Sequence, residues 1–231
     1  MAMKNNLIVL LFLLFVFRGY SQKLNYDVRG TYSKAIQQED LLAVKSLSDL
    51  SPGYPTGWVS NYVSVDIVTK VNGSELKESG LNDQLNAKQL NIIRSADLFS
   101  EILITVKYKS PNPATDKIEL NTLTRRVTVT PAFEASYPGG KETMNKYLEK
   151  NAMSKITDKS LDDNTKGIVQ FIINEKGEVT EPKLSQSSGD HSVDALILKA
   201  IQNMPTWKPA ETASGTKVKQ TFEFSIGKPG C

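Results

Sequence analysis

A chain of 231 residues that is 39% hydrophobic, 8% aromatic and 23% charged has ordinary globular composition, which excludes wholesale disorder, a collagen-like repeat and a polytopic membrane protein. Its formal charge of +3 falls close to balance once the first 21 residues, with Lys4 and Arg18 and no acid, are set aside; no electrostatic footprint for nucleic acid is left. One histidine and one cysteine are too few for classical zinc sites, Cys/His catalytic pairs or internal disulfides, so the chain reads as a non-enzyme without metal, cofactor or small-molecule substrate.

Lys4 precedes an unbroken apolar run from Leu7 to Phe17. At helical rise this run covers about 16 Å, half a bilayer core, which suits a secretory signal and falls short of a spanning anchor. Gly19 and Ser21 stand where a cleavage site needs small residues, leaving Gln22 first, although Arg18 is unfavourable there and an uncleaved anchor is the alternative. No cysteine follows the run, so a lipid anchor is not indicated, and the expectation is a periplasmic protein exported by a cleaved signal peptide over 1–21.

Over 22–57 the reading is a helical segment and linker. Ile36, Leu41, Val44 and Leu47 fall near helical spacing, which predicts a short amphipathic helix within Tyr32–Leu50, ending before the turn-forming SPGYPTG. Over 58–131 the chain reads as mostly β. Tyr62–Val71 is a strand with Val63, Val65 and Ile67 on one face, and Asn72–Gly73 is a turn. Asn86–Ser95 reads as a short helix; Ile102, Ile104, Val106 and Tyr108 alternate as a strand, SPNPATD is a loop, and Leu123, Arg125, Val127 and Val129 mark a strand ending at Pro131.

The PAFEASYPGG stretch opens a second block over 132–231. Met144, Tyr147, Leu148 and Ala152 share a helical face; Gly167–Asn174 is an apolar strand; Asn174–Gly177 is a hairpin loop; Val179–Gln186 returns. Asp190 caps a helix carrying Val193, Leu196, Ile197, Ala200, Ile201 and Met204, which Pro205 stops. The last strand, Lys217–Ile226, has Val218, Gln220, Phe222, Phe224 and Ile226 on one face. The order is α-β-β-α-β and the fold class of the whole is α+β. Pro182 cannot donate a ladder hydrogen bond, so its strand belongs at an edge. The final strand must then pair on the free side of the first, which makes it the second edge, open to an added strand.

Residues 137–226 resemble the C-terminal domain of TonB-family energy transducers. The matching pieces, in order, are YPGG, KYL, GIVQFIINEKGEV, SSGD, MPTWKPA and KQTFEFSIG. The resemblance implies a three-stranded antiparallel sheet packed by two helices, whose last strand pairs with an extended segment of an outer-membrane receptor. Carried onto this chain, the partner-binding residues are Lys217, Val218, Lys219, Gln220, Thr221, Phe222, Glu223 and Phe224. The chain departs from the family in lacking a proline-rich spacer and a clear spanning anchor, and in carrying MSKITDKSLDDNTKG where a Tyr-Pro element precedes the first strand. The expected partner is an outer-membrane receptor or other envelope protein, linked to TonB-dependent transport. The alternative is a scaffold or adaptor of an envelope complex, without energy transduction.

A Ser187/Ser188–His191–Asp190/Asp194 triad can be drawn, but these residues are bunched and lack a nucleophile elbow, so His191 reads as a solvated first-turn residue. Trp207 offers either a peptide-gripping surface or, the preferred reading, a cover for the sheet. Asp162-Asp163 is a solvated turn. Cys231 leaves open an intermolecular disulfide in a homodimer, or a free terminal thiol, which its position favours.

Overall fold

In a computed structural model, residues 24–59, 61–157, 161 and 166–227 are described; the expected signal peptide over 1–21, Asp162-Asp163 and Cys231 lie outside them. The apolar side chains gather into two cores, one around Ile67, Ile93 and Ile104, the other around Leu148, Phe171 and Phe224.

Residues 25–50 hold two strands, β1 (Asn25–Gly30) and β2 (Ala35–Gln37), then a 3-10 turn over Glu39–Leu42 and a single helical turn, α1 (Leu47–Leu50). The expected helix over Tyr32–Leu50 does not form. Ile36 sits in a strand, and Ser46 starts a new helix with its own capping box, accepting the Asp49 N–H while the Asp49 carboxylate accepts the Ser46 N–H. The near-helical spacing comes from Ile36 in a strand, Leu41 in the 3-10 turn, Val44 in the link after it and Leu47 in α1, all reaching one core.

The strand over Tyr62–Val71 forms (β3), with Val65 and Ile67 buried together but Val63 exposed where the pairing with β5 shifts register, and Asn72 and Gly73, both at positive φ, turn the chain into β4 (Ser74–Gly80). The Asp97 carboxylate accepts both turn amides at 2.8 Å. Helix α2 (Ala87–Arg94) is capped by Asn86; its Gln89, fully buried, donates to the Val65 carbonyl at 2.9 Å. Then come β5 (Glu101–Pro111) and β6 (Ile118–Thr130), giving a five-stranded sheet in the order β2-β6-β5-β3-β4.

The second core is built by α3 (Gly140–Asn151), β7 (Gly167–Ile173), β8 (Val179–Gln186) and α4 (His191–Gln202). The short β9 (Ala210–Glu211) and β10 (Lys217–Val218) follow, then β11 (Gln220–Gly227). The main sheet runs β1-β11-β7-β8. Pro182 does stand in an edge strand. There the register slips, Ile172 facing Thr180 but Gln170 facing Lys183, so Glu181 and Pro182 form a bulge with Glu181 at φ 51°.

Candidate functional site

The expected partner-binding strand divides in two. Lys217 and Val218 belong to β10, which pairs with β9 across a turn closed by Thr212 and Gly215 rather than with the main sheet. Lys219 joins neither strand, and Gln220, Thr221, Phe222, Glu223 and Phe224 lie in β11. Gln220 marks the division because its side chain is held inside. Its amide oxygen accepts the Ala135 N–H at 2.7 Å, and its nitrogen donates to the Glu134 carboxylate at 3.1 Å and the Tyr32 hydroxyl at 3.3 Å. Burial, reinforced by Glu134, pushes the Tyr32 phenol well above its usual value.

The edge beyond β11 is not open, which corrects the expectation of free N–H and C=O groups. β1 lies along it antiparallel, Asn25 opposite Gly227 and Gly30 opposite Phe222. The covering strand starts at residue 25, outside the α-β-β-α-β block of residues 132–231. A signal was present: Tyr26 and Val28 alternate with Asn25, Asp27 and Arg29, a short period-2 pattern.

Backbone direction along β11 follows from its neighbour. The Asn174 N–H reaches back to Glu178, and the Ile172 carbonyl accepts the Thr180 hydroxyl, so even-numbered residues of β7 turn toward β8. Odd-numbered ones then turn toward β11, where Phe171 meets Phe222 and Val169 meets Phe224. The amides of Thr221, Glu223 and Ser225 therefore point at β1, and by the same alternation those of Asp27 and Arg29 point back.

β1 is held lightly. Val28 is its only buried side chain; Tyr26 stacks on Phe224 at 6.4 Å and donates to Glu149 at 3.3 Å. Asp27 pairs with Lys141 at 2.9 Å and Arg29 with Glu223 at 3.3 Å. Lys141, Asp27 and Arg29 are solvent-exposed and Glu223 is mostly covered, so each pair contributes little. Beneath, the sheet is firm: Trp207 lies 5.0 Å from Phe222, 5.5 Å from Tyr137 and 6.1 Å from Phe171, ring to ring, and is itself buried. That location makes it a cover for the sheet and leaves no peptide-gripping face.

Residues 161–226 match the family model described as Gram-negative bacterial TonB protein C-terminal. They form a TonB C-terminal domain. No curated protein and no solved structure matches the chain. The match starts after α3, so β1 and α3 are packed against the TonB domain from outside the matched span. TonB C-terminal domains are protein-interaction domains of energy transduction, not enzymes, and they contact outer-membrane receptors; the family is envelope-associated. Among the described residues no helix is long and apolar enough to cross a membrane, and no group of three or more His, Cys, Asp or Glu side chains is placed to hold a metal.

Within the TonB domain the serine–histidine–aspartate cluster closes a loop. The Ser187 hydroxyl donates a hydrogen bond to Asp194 at 2.6 Å and the Ser188 N–H donates to the same carboxylate at 2.9 Å, while Asp190 caps α4 through Ser192 and Val193; His191 is exposed. Burial works to raise the Asp194 pKa, but the hydrogen bonds from Ser187 and Ser188 and the nearby His191 outweigh it and hold the carboxyl below its ordinary value. A folded value below the unfolded one, about 3.9, means stability that is complete above that pH and lost as acid titrates the folded carboxylate. Asp194→Asn should cost about 2 kcal/mol at neutral pH, the worth of hydrogen bonds to a charge, and should flatten the loss of thermal stability below about pH 4. Thermal melts of both chains across that range check it.

Proposed function

We propose that this chain is a periplasmic TonB-like protein-binding module, exported by its N-terminal leader. It captures an extended segment of an outer-membrane receptor, in service of TonB-dependent transport, by adding that segment as a strand to β11. The single observation that carries the reading is the β1–β11 pairing. The edge of the TonB domain accepts an extended segment from far away in sequence, Arg29 meeting Glu223 across 194 residues, in continuous antiparallel register. A receptor segment takes that place as β1 leaves. Gln220–Phe224 supply the ladder, and Lys217–Lys219 flank its entrance.

Fluorescence anisotropy with labelled peptides from the N-terminal periplasmic segments of the same cell's outer-membrane receptors tests this on the full chain. Thr221→Pro and Glu223→Pro each remove an amide that faces away from β7, so the domain stays folded by circular dichroism while peptide binding disappears. Undiminished binding by both variants would count for the second reading, a scaffold of an envelope complex, which the occupied edge favours.

A further inference from the structure

The five-stranded sheet leaves most of one strand edge uncovered. β6 is paired with β5 along Ile118–Thr128, but on its other side β2 covers only Thr128, Val129 and Thr130. The Thr128 N–H donates outward to Lys34 and the Thr130 carbonyl accepts from Gln38, whereas Val129 turns inward to Ser100 and Lys117 to Asn112. The β5–β6 register has no shift, so Arg126, Thr124, Thr122, Leu120 and Ile118 direct their backbone N–H and C=O groups away from the sheet. From Ile118 to Val127 this edge has no proline, no lysine and no bulge; its charges are Glu119, Arg125 and Arg126, and Ile118 and Leu120 are exposed.

We propose that this edge pairs with the same edge of a second copy, antiparallel about a two-fold axis at Thr122. That register sets Thr122 against itself, Leu120 against Thr124 and Ile118 against the alkyl part of Arg126. On the opposite face it sets Glu119 of each copy against Arg125 of the other. Arg125 selects the register. Its Nη1 donates to the Thr124 carbonyl at 3.2 Å, but its buried Nε has no hydrogen-bond partner among the described residues, where the Glu119 carboxylate accepts from the Asn112 side chain alone, at 2.9 Å. A slip of two residues moves Glu119 onto Leu123 or Val127, and a strand without an acid at that place covers Arg125 with no counter-charge.

Sedimentation of the full chain under reducing conditions, at rising concentration, should show a reversible monomer–dimer equilibrium. Reducing conditions remove any contribution from Cys231. Glu119→Arg and Arg125→Glu alone should each weaken dimerisation by about tenfold or more, and the two together should restore it. Thr122→Pro, whose amide faces out of the sheet, should abolish the dimer and leave the circular dichroism spectrum unchanged. A monomer at every concentration overturns the proposal, as does a dimer indifferent to both the charge reversals and the proline.

Discussion

Asp27→Pro is expected to tighten binding of an extended receptor peptide by about 10- to 100-fold, because it disables the strand that already holds the site. The Asp27 amide faces β11 opposite Ser225, so proline breaks the ladder at the middle of β1 and also removes the ion pair with Lys141. Val28, the one buried side chain of β1, is untouched, and the β11–β7 ladder loses nothing. A tethered strand competes at an effective concentration in the millimolar range, so a weakly held β1 still suppresses a free peptide. Isothermal titration of both chains with the same receptor peptide is the measurement. A fall in affinity would mean that the peptide adds outside β1, using the amides of Tyr26 and Val28, and that exchange is not how the site works.

Gly177→Val is expected to cost about 3 kcal/mol, combining a left-handed backbone no β-branched residue tolerates with a steric conflict in a filled core. Gly177 sits at φ 82° in the β7–β8 hairpin, and a Cβ there would run into the Trp207 carbonyl. Neither side can yield, since the Trp207 N–H donates to the Gly177 carbonyl at 2.8 Å and the indole is wedged among Tyr137, Phe171 and Phe222. Denaturant unfolding of both chains in a Trp58→Phe background, followed by Trp207 fluorescence, should show a lower midpoint with an unchanged slope. A change below about 1 kcal/mol would mean that the turn relaxes and that the hairpin tip is not fastened to the segment after α4.

The elements that could be read from sequence are those whose pattern is local. β3, β5, β7 and α4 each carry their own period of apolar residues, and Pro182 placed β8 at an edge on hydrogen-bonding grounds alone. β4 carries no such signal because nearly all its side chains are exposed. The break at Lys219 was invisible because alternation runs through it; what divides the strand is Gln220 pulled inward by Ala135 and Glu134, a contact 85 residues away for the first. β1 was the costliest omission. Six residues with one buried side chain barely register as a strand, and their meaning depends on a partner at the opposite end of the chain.

Residues 25–37 lie as an outer strand on one sheet and then, after Tyr32, on the other. The geometry gives the two attachments unequal resistance to tension. Asn25 and Gly227 sit at the same end of their antiparallel pair, so a pull between them opens the ladder one rung at a time, like a zipper, and needs little force. Peeling then reaches Tyr32 on Gln220 and, beyond it, Ala35–Gln37 paired parallel to Thr128–Thr130, where a load along the strand strains the remaining bonds together in shear. A tug at this end of the chain would bare the edge of β11 while the five-stranded sheet keeps its hold.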